Sequence, residues 1–175
     1  WATSHFRDVV QHRTGGASPF GNRGVQYRGS ADDAALNAAV LRYRADPAAV
    51  ARFAQDTDLT GRIPVPVLTV KGLDDPTAFV ELDAAFRATM AQGGSAERLV
   101  QTFTQHNTHS YLSDPTYPTL MNALLRWVDE GAKPTPEGIA QQCPANEARF
   151  GKGCAFVPAY VPKPLSSRVA DRDRP

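Results

Sequence analysis

The sequence predicts an α/β fold on a parallel sheet, and three features of residues 61–130 predict it. Strand-like and helix-like periodicities alternate, the strand-like runs are apolar on consecutive positions, and each helix-like run stops at glycine. Val65, Val67, Leu68 and Val70 form a near-continuous apolar run, the pattern of a strand buried on both faces. Phe79, Val80, Leu82, Phe86 and Met90 recur at helical spacing and end at Gly93-Gly94. Leu99-Val100-Gln101-Thr102-Phe103 reads as a second strand. Leu120, Leu124, Leu125, Trp127 and Val128 form the last helix, which stops at Gly131. Strand, helix, strand, helix is the order of a crossover unit joining parallel strands. A parallel sheet covered on both faces needs more than two strands, so the chain reads as part of a larger sheet.

The flanking regions have a different texture. Residues 1–60 are rich in Ala and Arg and carry helical signals without a buried strand. Ser30 with Asp33 makes a capping-box-like start before Ala34-Ala35-Leu36, and Ala39, Val40 and Tyr43 continue the stripe. A second helix starts at Asp46-Pro47, a cap followed by proline at the first helical position, and carries Val50 and Phe53. The glycine-rich stretch from Thr14 to Gly29 reads as loop. After Gly131 come Pro134, Pro136, Pro144, Pro158, Pro162 and Pro164, which predicts an extended, surface-packed tail.

Composition removes several classes of function. Lys plus Arg (19) nearly balances Asp plus Glu (18), and the basic residues are scattered, so there is no electrostatic footprint for nucleic acid or an anionic membrane. No apolar run approaches the ~20 residues of a membrane span. The chain starts at Trp1 without an initiator Met or a leader, and reads as a mature or cut product. Cys143 and Cys154 lie in a stretch containing Gly, Pro and Asn. A disulfide between them is the favoured reading and implies an oxidising, secreted or periplasmic compartment, with two free thiols as the plainer alternative.

Functional groups of an open α/β sheet gather at the carboxyl ends of its strands. The first strand ends in Lys71-Gly72-Leu73-Asp74-Asp75-Pro76, and the second in Thr104-Gln105-His106-Asn107-Thr108-His109-Ser110. Asp75 and His109 are therefore one crossover apart at one edge of neighbouring strands, which stand ~5 Å apart. A carboxylate on an imidazole is the orienting half of a nucleophilic triad, in which it fixes the tautomer and steadies the imidazolium.

From Ile63 to Pro136 the chain resembles the end of an α/β-hydrolase: strand, Gly-x-x-Asp-Pro loop, helix, strand, histidine loop, and a helix closing in Trp127-Val128-Asp129-Glu130-Gly131-Ala132-Lys133-Pro134. That ending is similar to secreted bacterial serine esterases. The resemblance implies that Asp75 is the catalytic acid and His109 the general base, that a carboxylic ester is the substrate, and that no cofactor takes part. It also makes residues 1–60 a helical cap, 61–137 the α/β core and 138–175 a disulfide-tied tail. Lys71 stands where the family commonly has His, and Thr108 where it usually has Gly, which leaves His106 as a rival to His109.

The family's nucleophile sits in a G-x-S-x-G elbow that precedes the acid. No such motif occurs here, since Gly93-Gly94-Ser95 follows the acid and Ser18 lacks the trailing glycine. The serine is expected from an N-terminal portion of the same hydrolase, as a separate chain or a further region. The other readings are plainer. Asp74 and Asp75 could terminate a strand in a polar turn, His109 could be a satisfied loop histidine, and His106 with His109 could ligate a metal beside either Asp. The rival to an enzyme is a non-catalytic fragment or binding module on a hydrolase scaffold.

Overall fold

Six α-helices and a small two-stranded parallel sheet make up the described residues, 2–170, of the computed structural model. The chain is thus mixed α/β, and it divides into a first unit that reaches Leu59 and takes in Ala170, and a second unit, Thr60–Val169.

In the first unit, α1 (Ala2–Asp8) runs into a π-helical turn at Val9–Arg13, followed by α2 (Asp33–Ala39) and α3 (Pro47–Thr57). Asp46 caps α3 by accepting the Ala49 N–H at 2.8 Å, with Pro47 at the first helical position as expected. Asp32 caps α2 through the Ala35 N–H, while Asp33 reaches back to the Ser30 amide and hydroxyl. The stripe expected through Tyr43 stops at Ala39, because residues 40–44 are held in a non-helical path. Asn22 binds the Leu41 carbonyl and the Tyr43 amide, and Arg42 reaches the Val25 carbonyl. Phe6, Phe20 and Phe53 pack edge to face, with centroids 5.3 and 5.6 Å apart.

The second unit holds β1 (Val67–Gly72), α4 (Glu81–Gln92), β2 (Leu99–Thr104), α5 (Thr116–Glu130) and α6 (Pro136–Phe150). β1 and β2 pair in parallel from Val67 opposite Leu99 to Gly72 opposite Thr104, so both strands end level and their loops leave one edge. Side chains alternate between faces. Leu68 and Val100 join Ala123 and Trp127 of α5 and Ile139 of α6 in the core. On the opposite face the Gln101 amide donates to the Asp83 carbonyl of α4 at 2.9 Å. α5 closes at Gly131, whose φ of 71° is the left-handed conformation that favours glycine.

Two expectations need correction. The tail after Gly131 is not extended throughout, because α6 occupies Pro136–Phe150, and an irregular path with one strand-like bridge at Phe156 begins only after it. Thr135 caps α6 through the Gly138 N–H at 3.0 Å, and Pro136 lies at the first turn, where no helical N–H is lost. Pro136 therefore starts a helix rather than preventing one, and the buried Ile139 and Cys143, one turn apart, anchor it. Pro144 lies inside the helix. β1 is also not buried on both faces: Val67–Lys71 are all half-buried, and Val65 is exposed and precedes the strand.

The two sheet edges differ. Along the outer side of β2, the Gln105 amide donates to Ala155 and the Val157 amide to Phe103, both at 2.8 Å, so residues 155–157 pair antiparallel with it. No described strand pairs with the outer edge of β1. α5 also carries an outward stripe of exposed apolar side chains, Tyr117, Met121, Leu125 and Val128, at helical spacing.

Cys143 of α6 is bonded to Cys154, as expected. The bridge sets residues 155–157 beside β2, helped by Glu147, whose carboxylate accepts the Gly153 and Cys154 amides and the Lys152 ammonium. The Cys154 amide, the Lys152 ammonium and the Gly153 amide hold Glu147 down at about 2. Cross-linking a loop of this sequence separation, 11, constrains the unfolded chain by about 3 kcal/mol. A Cys143→Ser, Cys154→Ser double variant should lose stability of that order in urea titration, with the loss confined to the second unit. An unchanged midpoint would contradict this account.

Candidate active site

The level ends of β1 and β2 bring the two loops together, and the approach depends on Gly72. A Cβ there would lie 2.8 Å from the His106 carbonyl oxygen, a backbone atom that cannot turn aside. With glycine in place, the Leu73 amide donates to the Thr104 carbonyl at 2.9 Å and the Asp74 amide to the His106 carbonyl at 3.3 Å. The histidine loop is thus stitched to the acid loop by backbone.

Asp75 turns inward and its side chain is 3% exposed. Its Oδ1 accepts the Thr77 amide at 2.8 Å and the Ala78 amide at 2.9 Å, an Asx-type turn for which an Asp followed by Pro76 and Thr77 is suited. Its Oδ2 accepts the Lys71 ammonium at 3.1 Å. His109 Nδ1 lies 3.1 Å from Oδ1 and 3.0 Å from Oδ2. The Ala78 amide first, then the Thr77 amide, His109 and Lys71, hold the Asp75 carboxyl well below the usual carboxylate range against the opposing effect of burial. Asp75 is therefore a carboxylate throughout the neutral range and accepts from Nδ1–H, which leaves Nε2 as the basic nitrogen. The His109 side chain is 48% exposed, and Nε2 makes no hydrogen bond among the described residues.

The loop around His109 is closed by the Thr108 hydroxyl, which donates to the Tyr111 carbonyl. Thr108 thus spans the histidine with a side chain where a glycine would span it with a turn. His106 is not on Asp75; its Nδ1 is buried and has no partner among the described residues. Asp74 is exposed and joins the pair only through its backbone. Among the described residues, no three His, Cys, Asp or Glu side chains converge as metal ligands would. Behind the acid loop lies a cavity of about 420 Å³ whose lining includes Asp74, Asp75, Phe79, Glu81, Tyr160 and Arg168.

In the sequence Lys71 stands out only as a departure from a family pattern. Lys71 is the penultimate residue of β1, four before Asp75, and only the turn of the acid loop back over the strand end brings the carboxylate to it. The Thr77 and Ala78 amides carry no side-chain signal at all.

No protein-family model, no curated protein and no solved structure matches the chain. Among the described residues, no helix is long and apolar enough to cross a membrane.

Two outcomes test this geometry. Because the folded carboxyl of Asp75 titrates below its unfolded value of about 3.9, the stability it contributes is complete above that pH. It should be lost as the pH falls below about 4 toward the folded value, and Asp75→Asn should remove this part of the acid dependence in denaturant titrations at stepped pH. Gly72→Ala should cost about 1–3 kcal/mol, because the added methyl forces the histidine loop away from the strand end. A variant of unchanged stability would contradict the close approach.

Proposed function

We propose that this chain supplies the acid and the histidine of a serine hydrolase of the α/β-hydrolase kind, secreted or periplasmic, that cleaves carboxylic esters. The serine belongs to a polypeptide segment outside these residues. The single observation that carries the reading is the Asp75–His109 contact, a nearly fully buried carboxylate on Nδ1 of a half-exposed imidazole. The resemblance of the two loops to esterases supports ester over amide as the substrate.

In this reading the serine hydroxyl gives its proton to His109 Nε2 as its oxygen attacks the ester carbonyl. The imidazolium, steadied by Asp75, returns that proton to the departing alcohol, leaving an acyl-serine. Water then attacks the acyl carbon, His109 again takes a proton, and the serine is released with the carboxylic acid. The cycle needs no cofactor. Asp75 acts throughout as a positioning residue, since only His109 touches the reacting atoms.

Other features agree. The free edge of β1 fits an added parallel strand, and the exposed stripe of Tyr117, Met121, Leu125 and Val128 fits an apolar surface beside it. The disulfide fits an oxidising compartment. A non-catalytic module on the same scaffold is the second reading. It is favoured by one observation, that no serine of the described residues hydrogen-bonds His109.

The isolated chain should not turn over an aryl ester, and none of its serines should take a fluorophosphonate label. In the protein that includes the serine-bearing segment, Asp75→Asn should lower kcat several thousand-fold and His109→Gln at least as much. Asp74→Asn and His106→Gln should cost roughly tenfold or less. Labelling of the isolated chain, or full activity of both Asp75→Asn and His109→Gln, would sink the proposal.

A further inference from the structure

We infer that Lys71 is a positioning residue that sets the charge balance of the Asp75–His109 pair, fixing one carboxylate oxygen and weakening the carboxylate's hold on a protonated imidazole. Its bearing on turnover rests on the reading above, but its geometry does not.

The Lys71 ammonium and His109 Nδ1 lie 3.1 and 3.0 Å from the same oxygen, Asp75 Oδ2. Lys71 is 16% exposed along its side chain, so its charge is only partly screened by water. Two consequences follow. With Oδ1 held by two amides and Oδ2 by an ammonium, the carboxylate cannot rotate about its last bond, and the imidazole meets a fixed acceptor. The ammonium also lies close enough to oppose a second positive charge on the ring, so protonated His109 gains less from Asp75 than it would from a carboxylate without a cation.

The other charged groups around the pair do not duplicate this role. Asp83 and Arg87 stand on α4, where burial raises Asp83 and the charges of Lys71 and Arg87 pull it back. Glu81 of α4 is engaged with Arg168 at 3.7 Å, and Asp74 and Tyr160 line the cavity behind the loop. His106 contributes its backbone carbonyl to the acid loop and has an unpartnered Nδ1. Among the described side chains, the Lys71 ammonium and the His109 ring are the two within hydrogen-bonding distance of Asp75.

The test uses the 175-residue chain itself, labelled with ¹⁵N, and follows the His109 ring by long-range ¹H–¹⁵N correlation as the pH is varied. In wild type, His109 should show the Nδ1–H tautomer at high pH, and the Lys71 ammonium protons should be observable and slow to exchange. In Lys71→Met the imidazolium should persist to higher pH than in wild type, because a neighbouring like charge is lost. Lys71→Arg, which keeps the charge, should move the midpoint less than Lys71→Met does. A Lys71→Met midpoint that is unchanged or lowered would overturn the inference. So would a wild-type Lys71 ammonium in fast exchange, a measurement that holds even where the methionine variant fails to fold. If these shifts appear while the serine-bearing protein hydrolyses no ester, the functional reading fails and the role of Lys71 stands.

Discussion

A carboxylate removed from water must be compensated by hydrogen bonds and countercharge, and at Asp75 that requirement organises the end of the sheet. The Thr77 and Ala78 amides turn the chain back over β1, Lys71 supplies a cation from the strand itself, and His109 arrives from the neighbouring strand. The four partners come from three stretches of chain, so satisfying one buried group fixes the relative positions of a strand end and two loops. The parallel register makes this possible, because Gly72 and Thr104 are paired and the loops depart level. A slip of one residue would move every side chain of one strand to the opposite face. The core and the site thus share one constraint: the register that packs half-buried Leu68 beside buried Val100 also sets Asp75 beside His109.

Much of this was legible in the sequence. The apolar run at Val67–Val70, the period of Phe86 and Met90, and the glycine stop at Gly131 placed β1, α4 and the end of α5 close to where they lie. The Asp75–His109 contact was accessible because strand order and loop spacing constrain it. Three features were not accessible, each for a physical reason. Helix α6 was hidden because proline marks a helix start as readily as a helix end, and only the Thr135 cap distinguishes the two. The half-exposure of β1 was hidden because an apolar run reports a preference for burial and does not report whether a neighbour is present. The contact of Lys71 with Asp75 was hidden because a lysine at a strand end reads as a solvated charge until the loop is seen to fold back over it.

The choice between His106 and His109 shows how backbone and side chain divide the work. His106 contributes its carbonyl to the acid loop, which holds the loop, while His109, three residues further, contributes its ring. Thr108, between them, uses its hydroxyl to close the turn on Tyr111.

The asymmetry of the sheet edges has a consequence for assembly. The outer side of β2 is covered at its carboxyl end by residues 155–157, tied to α6 through the disulfide, whereas no described strand pairs with the outer edge of β1. A protein with two free edges can stack into open-ended filaments, whereas one with a single free edge can add one partner and then has nowhere left to extend. Two copies meeting edge to edge would terminate as a closed pair. The Cys143–Cys154 bond, by tying residues 155–157 to α6, thus helps to keep one end of the second edge from pairing.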